Sequence, residues 1–178
     1  MRRLGTLVFV ACSARAPATV NVQPLPSPPP ARVAERARES AIDIDFENVI
    51  HLVGVSFEPE TAKAGEHVAI SFRWRCDASP GDGWQVFTHV TDANAKSENL
   101  DYLGPLREPD ASGRQRQGPD RWRAGVTYSE TLDYAIPTWA KGKLIVYVGF
   151  WRGASRLHVV SGPNDGDNRG IAGSIALE

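Results

Sequence analysis

The run His67–Arg75 alternates without a break, with Val68, Ile70, Phe72 and Trp74 set against Ala69, Ser71, Arg73 and Arg75. A side-chain period of two is the mark of a half-buried antiparallel strand, because successive residues of a strand point to opposite faces. The same period recurs along the chain. Val53, Val55 and Phe57 share a face in His51–Phe57; Trp84, Val86 and Val90 share one in Trp84–Thr91, with Phe87 and His89 opposite. Val126, Tyr128, Leu132, Tyr134 and Ile136 line up before Pro137, which cannot continue a ladder. Lys143–Trp151 is apolar on both faces and reads as a central strand, and Arg156–Val160 and Ile171–Leu177 complete the set. Pro80–Gly81–Asp82–Gly83 is a strong turn signal. No helical period persists over ten residues. Seven or eight short strands with turns between them imply an all-β chain of two packed antiparallel sheets, a β-sandwich.

The N-terminus reads differently. Arg2 and Arg3 precede the apolar run Leu4–Ala11, and Cys12 follows it. Eight apolar residues are too few to span the ~30 Å hydrocarbon core, which needs roughly 20 as a helix. They suit the apolar region of a signal peptide. Phe9–Val10–Ala11–Cys12 resembles the bacterial lipobox, with Phe9 where leucine is usual. The resemblance implies a signal peptide over residues 1–11 and acylation of Cys12. More than one acyl chain there would anchor the protein firmly to a membrane. Ser13 after the cysteine resembles an outer-membrane sorting signal, so the expected address is the bacterial cell envelope, on the outer membrane or periplasmic side. An ordinary secretory signal cleaved elsewhere is one competing reading, and a misassigned start methionine on a cytoplasmic chain is another. Residues 12–45 then form a disordered tether carrying Pro17, Pro24, Pro26, Pro28, Pro29 and Pro30, a composition that favours a semi-rigid extended spacer. The sandwich domain is expected over residues 46–178.

Charge and cysteines fit that organisation. Without Arg2 and Arg3 the chain keeps 18 of its 20 basic residues against 21 acidic ones, a formal charge of −3. Nucleic acid is not an expected partner, since nucleic-acid binding usually shows as a basic patch. With Cys12 acylated, Cys76 has no partner for a disulfide and reads as a buried, inert thiol.

A further set of short motifs runs in order: Trp84–Gln85–Val86–Phe87–Thr88–His89–Val90 with Asp92, Leu100–Asp101–Tyr102, Trp122–Arg123–Ala124–Gly125, Ile136–Pro137, Val146–Trp151, and Arg156–Leu157. This order resembles the immunoglobulin-like β-sandwich domain appended to some bacterial membrane glycosyltransferases of the mannosyltransferase-like type, and stand-alone lipoproteins related to it. The resemblance covers roughly residues 50–177 and implies an immunoglobulin-like sandwich. It brings no catalytic residues with it. The acidic residue usual after Trp–x–x–Gly has only approximate counterparts, Glu130 or Asp133.

Chemistry is sparse. The histidines His51, His67, His89 and His158 form no ligand pair of the His-x-x-x-His kind. His89, with Asp92 or Asp101 near it in space, has the composition of a general base in a hydrolase or transferase; a structural histidine at a strand end is the plainer reading. Gly162–Asn168 is rich in Asp and Asn, and Asp165 to Asn168 has oxygen ligands suited to calcium, although a hairpin turn explains the same residues. Trp122 and Trp139 lie outside the strand patterns, where an exposed indole suits a sugar ring or a protein partner, or packs over a sheet edge. Residues 92–121 form the longest irregular stretch and carry Arg107, Arg114, Arg116 and Arg121, suited to anionic glycans or lipid headgroups or simply solvated. No cofactor or metal is expected. The function expected is a non-enzymatic binding or accessory module, for a glycan or an envelope protein, with Trp122, Trp139, His89 and Asp101 as the binding candidates. A purely structural subunit, assembled through a sheet edge, is a third reading.

Overall fold

The computed structural model describes residues 39–178; Cys12, the signal peptide and most of the tether lie outside them. The strands are β1 (Ser40–Phe46), β2 (Ile50–Glu58), β3 (Thr61–Ala62), β4 (His67–Cys76), β5 (Gln85–Thr91), β6 (Ser97–Asn99), β7 (Val126–Ala135), β8 (Lys143–Arg152), β9 (Ser155–Arg156), β10 (Val159–Ser161) and β11 (Gly170–Leu177). One sheet runs β10-β1-β2-β4-β7 and the other β3-β11-β8-β5-β6, with β9 beside β8. All pairings are antiparallel except β3 with β11. The two sheets pack face to face as the β-sandwich that the alternation predicts.

Two boundaries differ from expectation. Among the described residues strand structure already starts at Ser40, inside the stretch assigned to the tether, because β1 pairs with both β2 and β10. Ile44 and Phe46 are fully buried by that pairing. The single strand expected at 156–160 is two. Arg156 pairs with Trp151 on one sheet, while Val159 pairs with Phe46 on the other. Leu157 is buried where the chain passes between them.

The core follows the sequence pattern. Trp74, at 0% exposure, sits at its centre, with ring centroids 5.3 Å from Phe150, 5.6 Å from Phe72 and 6.2 Å from Trp122. Trp122 stacks on Tyr128 at 4.7 Å with planes 10° apart. Cys76 is buried and unbridged, and its Sγ–H donates to the Ala78 carbonyl. Burial, followed by the charge of Asp77, pushes that thiol up from its ordinary pKa and disfavours the reactive thiolate.

One buried feature is not apolar. Arg107 and Glu130 have 0% side-chain exposure and form an ion pair of 2.6 Å between the sheets. Residues 100–107 thereby close over the sandwich beside β7.

Candidate functional site

The alternation of β5 sends Val86, Thr88 and Val90 into the core and Phe87 and His89 to the outer face of the second sheet. On the neighbouring β8, Gly149 lies opposite Phe87 and Trp151 lies opposite Gln85. The absence of a side chain at Gly149 matters: a Cβ there would stand 2.5 Å from Phe87 Cζ. The Phe87 ring therefore lies down across Gly149, which explains why it is 2% exposed although it faces outward. Gly149→Ala is expected to cost about 1–3 kcal/mol, the usual range for overpacking. Urea titration checks this, and Phe87→Leu in the same chain should recover part of the loss.

That ring forms the floor of a pocket of about 350 Å³ lined by Phe87, His89, Asp101, Trp151, Arg156 and the β8–β9 turn. The volume lies near the lower end of the ~300–1,000 Å³ span of small-molecule sites. The His89 ring sits 4.9 Å from Phe87. The Arg156 guanidinium stands 5.3 Å over the Phe87 ring and donates to the Asp167 carbonyl. Trp151 Nε1 is shielded from solvent and has no acceptor.

Asp101 reaches the pocket from the loop after β6. Its Oδ1 accepts the Thr88 amide at 3.1 Å, and its Oδ2 accepts Asn99 Nδ2 at 2.9 Å. Gln115 fixes the same loop: its Nε2 donates to the carbonyls of Val86 and Asp101, and its Oε1 accepts the Val86 amide. His89 Nε2 stays 3.8 Å from Asp101 Oδ1, beyond hydrogen-bonding reach. Burial holds the imidazole below its ordinary pKa; Asp101 opposes this, and Arg169 and Arg156 add to it. Burial thus favours the neutral form of the ring.

Of the residues singled out from the sequence, the fold brings His89 and Asp101 together and leaves the others elsewhere. Asp92 does not join His89. Its Oδ1 accepts the amides of Asn94 and Lys96 and closes the turn between β5 and β6. Trp122 offers no face to a ligand: it is 3% exposed and its Nε1 donates to the Gln117 carbonyl. Trp139 is half-buried against the core with Lys96 Nζ 5.6 Å from its ring centre, and it does not line the pocket. The loop arginines are mostly engaged. Arg107 is buried, Arg114 faces Asp120, and Arg121 faces Asp110.

The Gly162–Asn168 segment is a turn. Asp165 Oδ1 accepts the amides of Asp167 and Arg169, and its other oxygen pairs with the Arg169 guanidinium. Its carboxylate, the first ligand a calcium loop would need, is already held by an arginine. Among the described residues no group of three or more His, Cys, Asp or Glu is arranged to hold a metal.

Arg156, Trp151 and Phe87 were missed as pocket residues. Phe87 and His89 share a face in the period-two pattern, which was the available signal. Locating Arg156 and Trp151 beside them needed the register of β5 on β8 and of β9 on β8. No protein-family model matches this chain, and no curated protein matches it.

Proposed function

We propose that the chain is an envelope lipoprotein, anchored through acyl chains on Cys12, whose sandwich is a non-enzymatic binding module with the His89 pocket as its site. The observation that carries the binding reading is the state of Asp101. Both of its oxygens already accept protein donors, and 3.8 Å separates it from His89. A carboxylate that orients a general base hydrogen-bonds it directly. This one instead stabilises the loop that walls the pocket. A small concavity with an aromatic floor and a few fixed polar groups suits recognition of a small ligand or a chain end.

The anchor supports the same reading, because a binding module tethered to a membrane acts where its ligand is displayed. Arg2, Arg3, the apolar run Leu4–Ala11 and Cys12 support the anchor. The Cys12→Ala chain is expected to leave the membrane fraction for the soluble one. Fractionation followed by immunoblotting checks this, and membrane association unchanged by the substitution would remove the lipoprotein from the reading.

A further inference from the structure

We infer that the His89 pocket takes a small sugar bearing a single carboxylate, with Arg156 as the partner of that carboxylate. The inference rests on the binding reading above and names its ligand. Arg73, Arg75, Arg107, Arg114, Arg121 and Arg169 have acidic partners, whereas Arg116, Arg123, Arg152 and Arg156 have none among the described residues, and of these four Arg156 is the one that lines this pocket. It is exposed at the pocket wall and, of its five N–H donors, gives one to a backbone carbonyl. A guanidinium held over an aromatic ring keeps its edge free for a bidentate contact with a planar anion.

The charge of the pocket chooses among anions. The wall carries one acidic side chain, Asp101, and one basic side chain, Arg156, and burial favours the neutral form of His89 beside them. A monoanion placed at Arg156 meets its complement, whereas a dianionic phosphate would carry a second charge against Asp101. The rest of the wall suits hydroxyls and C–H faces. The 3.8 Å gap between His89 Nε2 and Asp101 Oδ1 leaves two polar atoms side by side without a bond between them. A hydroxyl has both a donor and two acceptor lone pairs and can serve such a pair. Trp151, half-buried at the pocket wall, supplies the apolar surface on which a pyranose ring packs. The volume suits one or two sugar units rather than a long stretch of polymer.

The test uses the purified, ¹⁵N-labelled full chain and three probes: glucuronate, glucose and glucose 6-phosphate. The Trp151 indole N–H signal, assigned by its loss in Trp151→Phe, and the His89 ring signals report pocket occupancy. Glucuronate is expected to shift both signals and to bind more tightly than glucose. Arg156→Gln should weaken glucuronate by about tenfold or more, the size of a lost charge-assisted hydrogen bond. Arg156→Gln should leave glucose unchanged, and Arg156→Lys should recover only part of the loss. Folding of each variant is checked by the dispersion of the remaining amide signals. If glucuronate and glucose bind alike and neither responds to Arg156→Gln, the carboxylate assignment falls while the binding module stands. Tighter binding of glucose 6-phosphate than of glucuronate also overturns the assignment. If none of the three moves either signal, both the assignment and the pocket's role as a sugar site fall.

Discussion

Arg107→Leu is expected to destabilise the domain by about 3–5 kcal/mol, the range found when one partner of a buried ion pair is removed. The guanidinium donates through Nε and Nη2 to Glu130 at 3.0 and 2.6 Å, and through Nη1 to Thr88 Oγ1 at 2.7 Å. Glu130 also accepts Trp74 Nε1 at 3.3 Å. Glu130 belongs to β7 of the first sheet and Thr88 to β5 of the second, so Arg107 ties both sheets to the loop between them. Its loss leaves a carboxylate with 0% side-chain exposure, and an unpaired charge there costs far more than the pair contributes when complete. Glu130→Leu should cost a similar amount by the reciprocal argument. The double variant is expected to cost much less than the sum, because both charges leave together. What remains is the unsatisfied Trp74 N–H and the Thr88 hydroxyl, about 1–3 kcal/mol each. A double-mutant cycle by urea denaturation reads the coupling directly. Single costs near zero that simply add would mean that the pair does not hold the sheets together. Because the same loop carries Asp101 to the pocket and Gln115 to the backbone behind it, the destabilised variants should also lose order at His89.

The buried pair shows where sequence reading reaches its limit. The period-two pattern of β7 places Glu130 on the same face as Tyr128, Leu132 and Tyr134, so an acidic residue facing the core was legible. Its partner was not. Arg107 sits in an irregular stretch, 23 residues away from Glu130, and arginine in a loop is ordinarily solvated. Only the path of the loop over β7 brings the two together. Trp122 shows the converse. Its position outside any strand pattern gave it the look of an exposed ring, yet the short 3₁₀ turn Pro119–Arg121 delivers it onto Tyr128 and into the core. The strands with clean alternation, β4 above all, were legible because burial on one face is decided locally by the pleat. His89 was legible as a candidate for the same reason, whereas the choice between Asp92 and Asp101 depended on turn geometry. Asp92 is captured by its own turn within four residues.

The first strand was the largest omission, and Gly162 provides its test. Ile42, Ile44 and Phe46 alternate with Asp43 and Asp45, and aspartate, depleted in strands, masks that alternation in the sequence. The fold retains both aspartates by placing His51 across from them, 2.9 Å from Asp43 and 3.5 Å from Asp45. On its other side β1 meets β10, and Gly162 follows β10 with φ +97°. A Cβ at Gly162 would stand 2.4 Å from the Asp43 carbonyl oxygen and 2.8 Å from Ile44 Cα. Those are backbone atoms of a paired strand and cannot swing aside as a side chain would. Gly162→Ala therefore combines torsional strain of about 1–3 kcal/mol with an overpacking cost of about 1–3 kcal/mol. Gly166→Ala is the matched control. Its φ of +88° is comparable, but nothing stands within 4 Å of the added methyl. Torsional strain alone should make it the milder change, so the difference between the two variants isolates the contact with β1. Hydrogen exchange should show where the damage falls, with amides of β1 losing protection before those of β4 and β8. Equal costs for the two alanines, with β1 protected in both, would mean that β1 does not lie against Gly162 and that the sandwich begins at β2.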